Sequence, residues 1–290
     1  MIRGRDSPPQ NHRITKSLSL AAMVQLDTKA VCLHQYPLKD HDAILCLYTE
    51  TAGLVRAVAK GIKKPTSKHR GAAMPLTLNT VSLARRQSAL FTLRHYERLE
   101  SFPAIHQAIE RIAVGSTWTD VLRWLGQEND GDSAILFDAL LEALYELNRP
   151  QTPWVGTSIA MHLYLLRWAG YELDTERCVI SGVPLDLDHT PLQRFSPSLG
   201  GFLGDIPPGT STTAMDTVKV STSTVLLLNN PFDTRFYTHA IKAHRFLAYL
   251  WQQQLEKPLN SFDFLQHLLE MTDLTTIVAD QSAHGQLARA

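Results

Sequence analysis

Lys60, Lys63, Lys64, Lys68 and Arg70 fall within one short run, Lys60-Gly-Ile-Lys-Lys-Pro-Thr-Ser-Lys-His-Arg70, with no carboxylate among them. Ammonium and guanidinium groups at this density neutralise a polyanion, and a phosphate backbone is the commonest one. The run lies inside a longer anomaly. From Thr51 to Tyr96 there is no Asp or Glu, while Arg56, Arg85, Arg86 and Arg94 raise the count of basic residues to nine. The chain as a whole carries 28 Lys and Arg against 28 Asp and Glu, so setting those nine aside leaves the rest markedly acidic. A solvated basic face is the simpler explanation of one Lys-rich loop. An ordinary surface intersperses both signs, however, and a stretch of this length without a carboxylate points to a local polyanion site.

The elements that must carry these cations read as strands. Ala30–Leu33, Ala43–Tyr48, Leu54–Ala59, Leu76–Leu83 and Ala89–Leu93 are short apolar or alternating segments, with Gly53 at a tight turn and Arg85-Arg86-Gln87-Ser88 as a hairpin connection. Five short strands in so few residues suggest a small closed barrel of the oligonucleotide-binding (OB) type, whose loops carry cations beside the binding face. Tyr36, Tyr48, Phe91 and Tyr96 interleave with the cations. Phe91 reads as core, whereas Tyr36 and Tyr96, near polar residues, are the candidates for base stacking.

Helical periodicity follows. Ser101-Phe-Pro103 reads as a cap and first turn, with Ile105, Ile109, Ile112, Val121, Leu122 and Leu125 on one stripe. A second helix starts at Ser133 with Phe137, Leu140, Leu141 and Leu144 inward. A third, Trp154 to Gly170, is apolar nearly all round and should be central. Residues 174–216 are rich in Pro, Gly, Ser and Thr and read as an irregular insertion. Phe236–Leu255 and Ser261–Met271 are the last helices, and Asp280–Ala290 should fray. The expected organisation is a flexible tail over residues 1–25, a barrel domain over 26–102 and a mainly helical domain over 103–290, in the α+β class. A chain starting at Met23 is expected to fold and function normally.

The 44% hydrophobic composition over 290 residues supports a large core, and no apolar run is long enough to span a bilayer. Cys32, Cys46 and Cys178 are an odd, widely spaced set that fits a reducing compartment. No nucleotide-binding glycine motif, zinc-protease motif or nucleophile elbow occurs, and the carboxylates do not converge as a two-metal nuclease requires. The histidines show no ligand spacing. A binding protein is favoured over an enzyme, with RNA or a ribosomal site left open as the target.

Several segments together resemble the RecO family of bacterial recombination mediators: Tyr36-Pro-Leu-Lys-Asp-His-Asp42, Tyr48-Thr-Glu-Thr-Ala-Gly53, Ala57-Val-Ala-Lys-Gly61, Lys68-His-Arg-Gly71 and Leu99-Glu-Ser-Phe-Pro103. The likeness continues through Phe195-Ser-Pro-Ser-Leu-Gly-Gly-Phe202 and Lys257-Pro-Leu-Asn-Ser-Phe262. It implies an N-terminal OB barrel joined to a helical domain. It also implies binding of single- and double-stranded DNA, strand annealing, and work with RecR and single-strand binding protein to load recombinase, with RecF and RecA as further partners. A cytoplasmic, nucleoid-associated protein without membrane contact and without a cofactor is implied. On that resemblance Arg56, Lys60, Lys63, Lys64, Lys68, Arg70, Arg85, Arg86 and Arg94 are the expected DNA contacts, and Lys242 and Arg245 are expected to edge an apolar pocket for an acidic partner tail.

Many relatives carry a four-cysteine zinc site in the insertion. Here Cys178-Val-Ile-Ser181-Gly182 keeps only the first thiol and Gly204-Asp-Ile-Pro-Pro has none. One thiolate, even helped by His189, cannot hold a structural zinc, so packing of Phe195, Leu199, Phe202 and Leu203 should hold the insertion. Purified protein should therefore lack stoichiometric zinc and show a melting temperature unmoved by chelators; about one zinc per chain by elemental analysis, with destabilisation on stripping, would overturn this.

Overall fold

The computed structural model describes residues 23–67, 73–205 and 216–272. The N-terminal tail over residues 1–22, Lys68, His69 and Arg70 of the basic run, the middle of the insertion and the segment Asp280–Ala290 lie outside the described residues.

Five strands, β1 (Val24–Pro37), β2 (Ala43–Thr49), β3 (Gly53–Ala59), β4 (Leu78–Arg85) and β5 (Phe91–Glu100), close into a barrel in the order β1-β2-β3-β5-β4. Closure depends on β1. Its first half pairs antiparallel with β4 and its second half with β2, and a register shift between Cys32 and His34 lets one strand turn between both partners. A short parallel pairing of Ala57 and Val58 with Phe91 and Thr92 completes the circuit. Leu45, Leu47, Val55, Ala57, Leu83 and Phe91 fill the interior. The apolar middle of β1 is its plainest signal; its first half, with Gln25, Asp27 and Lys29 exposed and Leu26 and Thr28 half-buried between them, pairs with β4.

Tyr96 belongs to that interior, which corrects its reading as a stacking residue. It pairs with Val81 beside the register shift at Ser82/Leu83, and it is only 2% exposed. Burial pushes its phenol far above the ordinary range. Leu76, expected to open the fourth strand, instead stands before it with φ 59.

The helical region contains α1 (Pro103–Gln107), α2 (Ile109–Leu125), α3 (Ser133–Asn148), α4 (Trp154–Trp168), α5 (Thr222–Asn229), α6 (Ala240–Leu255) and α7 (Asn260–Met271). The first two were expected as one helix capped by Ser101. Phe102 takes the cap position instead, at φ 48, and Ala108 is extended at φ −124, ψ 120. That break resets the helical phase, and so Ile109 is 51% exposed and does not join the inward stripe. At the end of α3 the buried Arg111 of α2 donates to the carbonyls of Leu147, Pro150 (2.9 Å) and Thr152 (3.2 Å). A cation thus caps the negative end of a helix that has no basic residue in its own last turn.

The insertion is more regular than its composition suggests. Strands β6 (Leu192–Ser196), β7 (Gly201–Leu203) and β8 (Val218–Ser221) form a sheet in the order β7-β6-β8. Each is too short to show a period. Phe195 and Phe202 pack edge-on at 5.3 Å and both meet Phe246 of α6, at 5.0 and 5.8 Å. Phe195, Phe202 and Leu203 are buried as expected, but Leu199 is 41% exposed, because it lies on the turn joining β6 and β7. Helix α5 went unread because it sits inside a Ser/Thr-rich stretch. Ser221 caps it by accepting from the Thr224 N–H.

One core joins the two halves. Val31, Leu33, Cys46, Tyr48 and Leu54 on the outer wall of the barrel are buried in the same cluster as Trp118, Val121 and Leu122 of α2.

Two histidines sit at the helical centre, His162 on α4 and His244 on α6, both fully buried. Trp251 N–H donates to His162 Nδ1 (3.2 Å), so His162 Nε2–H donates to Thr117 (2.8 Å), whose hydroxyl donates to the Val114 carbonyl (2.7 Å). His244 Nδ1–H donates to the Ala240 carbonyl (2.8 Å) and its Nε2 accepts from Ser158 (2.9 Å). Each ring already receives a hydrogen bond where a second proton would go. Burial lowers both, His162 well below and His244 from the ordinary 6.5 to about 4. An unfolded chain protonates these rings near 6.5 while the fold does not, so their stabilisation is complete above pH 6.5 and is lost as pH falls towards 4. Between pH 7.5 and 5 the unfolding free energy from urea titration should fall by about 2 kcal/mol from His244 alone, and His244→Asn should flatten that dependence. A stability profile flat across this range in the wild type would contradict the neutral-histidine core.

Candidate nucleic-acid interface

Strand alternation decides which cations face outward. On β3, Val55, Ala57 and Ala59 point into the barrel, which leaves Arg56 exposed and Val58 half-exposed on the outer face, with exposed Lys60 next in the same phase. On β5, Phe91 is inward and Arg94 exposed. A surface cavity of about 290 Å³ lies between these strands, lined by Val58, Arg85, Arg86, Phe91, Thr92 and Arg94 among others. Arg86 is exposed there. Arg85 is tied down, since its guanidinium lies 4.4 Å over the Phe91 ring and pairs with Glu128 at 2.5 Å.

The basic run begins as β3 ends, and its first turns are fastened to the loop between β1 and β2. Asp42 Oδ1 accepts from the Gly61 N–H at 2.7 Å, and the His41 carbonyl accepts from the Lys63 N–H at 3.0 Å. Gly61 has φ +65, a conformation that glycine adopts without strain. Two further turns, Lys64 N–H to Gly61 and Ser67 N–H to Lys64, carry the chain onward. Lys60 and Lys64 are exposed and Lys63 is half-buried. The Asp42 carboxylate therefore serves the loop's backbone, and Lys60 and Lys64 stay exposed. Lys68 and Arg70 lie outside the described residues.

Tyr36 stands on the same outer face, 37% exposed, in register with Ile44 and through it with Val58. His34 packs on it at 4.4 Å. Arg123 of α2 donates to its hydroxyl at 3.0 Å and lies 5.8 Å over its ring. No spacing in the sequence links Arg123 to this face, because it belongs to a helix that only tertiary packing brings near.

A second pocket, of about 310 Å³, opens between β8 and α6. Val220, Phe246 and Tyr249 give it apolar walls, and Lys219, Lys242 and Arg245 line its edge; Arg245 also pairs with Glu270. Lys242 and Arg245 were legible as edges. Lys219 was not, because it sits on a four-residue strand.

Cys178 closes a tight turn, with Gly182 N–H donating to its carbonyl and its own N–H to Val183. Burial raises the thiol, but hydrogen bonds from Ser181, Gly204 and Ile180 outweigh this and bring it down to about 7. Ser181 Oγ also lies 3.1 Å from the Asp205 carbonyl, and His189 is engaged with Asp186. Among the described residues no three His, Cys, Asp or Glu side chains come together as a metal site. The donors present do not fit the four-thiolate zinc site attributed above to many relatives.

A closed five-stranded barrel with cations on its loops and outer face, joined through a common core to a helical region, defines an OB-fold protein. Family comparison makes this specific. Residues 23–102 match the model described as Recombination protein O N terminal and residues 106–263 match Recombination protein O C terminal, and the chain belongs to this RecO family. It is 30% identical over 178 residues to a protein of Heliobacterium modesticaldum, an alignment covering 61% of this chain and 63% of that protein. It is 31% identical over 149 residues to one of Pelotomaculum thermopropionicum, covering 51% and 57%, and 28% identical over 151 residues to one of Parasynechococcus marenigrum, covering 52% and 56%. All three relatives are named DNA repair protein RecO, and the chain spans about three fifths of their length.

If Lys63, Lys64 and Lys68 each meet a phosphate, their joint replacement by Ala should reduce the log–log salt dependence of single-strand binding by roughly 2. An unchanged slope in a folded variant would move the contact elsewhere.

Proposed function

We propose that this protein is a DNA repair and recombination mediator of the RecF pathway, acting in the cytoplasm at the nucleoid. It binds single- and double-stranded DNA without reading sequence, anneals complementary strands, and, with RecR, helps load recombinase onto DNA coated by single-strand binding protein. RecF and RecA are the further partners of that reaction. It works by holding strands and uses no cofactor turnover. Among the described residues no helix is long and apolar enough to cross a membrane.

The observation that carries the reading is the acid-free stretch from Thr51 to Tyr96, folded so that Arg56, Lys60, Lys64, Arg86 and Arg94 face outward on the barrel. Annealing requires two mutually repelling phosphate backbones to approach. A cationic surface lowers that repulsion without discriminating bases. The pocket edged by Lys219, Lys242 and Arg245 supports the partner reading: apolar walls with a cationic rim suit the acidic tail of single-strand binding protein.

The decisive measurement is annealing of complementary strands precoated with the cognate single-strand binding protein. The protein should accelerate it well above the spontaneous rate, and the effect should fade as salt rises. Lys242→Glu should slow annealing of coated strands and leave naked strands unaffected. Tight RNA binding without DNA annealing would favour a ribosome-associated role instead.

A further inference from the structure

The cationic outer face does not end at the barrel. Row by row it carries Arg94 on β5, Arg56 and Val58 on β3, Ile44 on β2, and His34 and Tyr36 on β1, with Cys46 buried between Arg56 and His34. Arg123 of α2 extends the row by bonding Tyr36. The residue after Arg123 is Trp124, whose indole is 48% exposed. The other tryptophans are buried or half-buried, with Trp118 and Trp251 at 0% and Trp154 at 7%. The ammonium of Lys257, ahead of α7, lies 5.6 Å over the Trp124 ring.

We propose that the single-strand path runs off the barrel onto the C-terminal end of α2, where Trp124 is a stacking platform for an unpaired base, with Lys257 beside it for a flanking phosphate and Arg123 holding Tyr36 in place. The proposal rests on the DNA-binding reading and extends its site to residues of the helical region. Two π surfaces, Tyr36 and Trp124, are held next to guanidinium and ammonium groups, and this alternation suits a strand whose bases and phosphates alternate. Asp120, beside Arg123 on α2, is already satisfied: it pairs with Arg123 and accepts from the Ser261 N–H at 3.3 Å. A duplex keeps its bases stacked on one another, so the platform serves single strands alone.

Trp124 reports its own occupancy. In full-length protein at low salt, oligothymidylate should quench tryptophan emission, and a duplex of the same length should quench little. Trp124→Phe should abolish most of the quenching and bind oligothymidylate within about twofold of wild type, because a phenyl ring still stacks. Trp124→Ala should weaken oligothymidylate binding about tenfold and leave duplex binding unchanged. Saturation of the wild type without quenching would overturn the platform while leaving DNA binding intact. Equal loss of single-strand and duplex affinity in Trp124→Ala would overturn it too, as would unchanged DNA affinity with an altered oligomeric state, which would mark a protein interface. Absence of any binding by the wild type would overturn the proposal together with the DNA reading on which it rests.

Discussion

The architecture depends on one close approach, between the turn after β2 and the loop after α2. Leu54 N–H donates to the Gln127 carbonyl and Asn129 N–H to the Ala52 carbonyl, both at 3.0 Å, so residues 127–129 lie against the start of β3 as a short added strand. The approach leaves no room for side chains. A Cβ on Gly53 would stand 2.4 Å from the Gln127 carbonyl oxygen, and one on Gly126 would stand 2.9 Å from the Leu54 side chain. At Gly115, farther back on α2, a Cβ would meet Leu76 at 2.6 Å. These glycines let α2 lie directly on the barrel wall and bury Val31, Leu33, Cys46 and Tyr48.

Covering one side of the barrel decides what the other side can be. The wall against α2 is buried and largely apolar, so the cations of the chain's acid-free stretch have only the remaining face and the loop ends to occupy. Where the two regions meet, charge is matched locally: Arg85 pairs with Glu128 and Arg123 with Asp120. Away from the seam Arg56, Lys60, Lys64, Arg86 and Arg94 stay exposed. Burial and electrostatics therefore divide one small barrel into a docking wall and a polyanion face, and the same alternation of strand residues serves both. Leu54 turns to the helices and Arg56, two residues on, to solvent.

What could be read in advance follows from how local each signal is. The five strands, the helices around Phe137 and His162, and the outward cations of β3 are written in periods of two and 3.6 residues. Tyr96 turns inward because its own strand carries an extra residue at Arg94, between the pairs Ser82–His95 and Leu83–Leu93, and nothing in the local sequence announces that bulge. Leu199 misled because a turn looks apolar when its strands are unknown. Helix α5 and the three-stranded sheet were too short to show a period. Arg123 and Lys219 joined their sites through tertiary contacts, so only the folded chain could reveal them. The aromatic packing of Phe195, Phe202 and Phe246 was only half visible, because Phe246 lies on a distant helix.

The shared core also changes what the covalent crossing between the regions means. The chain passes from β5 to α1 through Glu100–Pro103, with Phe102 buried in a left-handed conformation. Across the same boundary run the backbone bonds of Ala52 and Leu54, the Arg85–Glu128 pair and the apolar wall. A break in the polypeptide at this crossing would remove one tether among many attachments. The two pieces would behave as complementary fragments that recognise each other, and the peptide link serves chiefly to keep their effective concentration high while they fold.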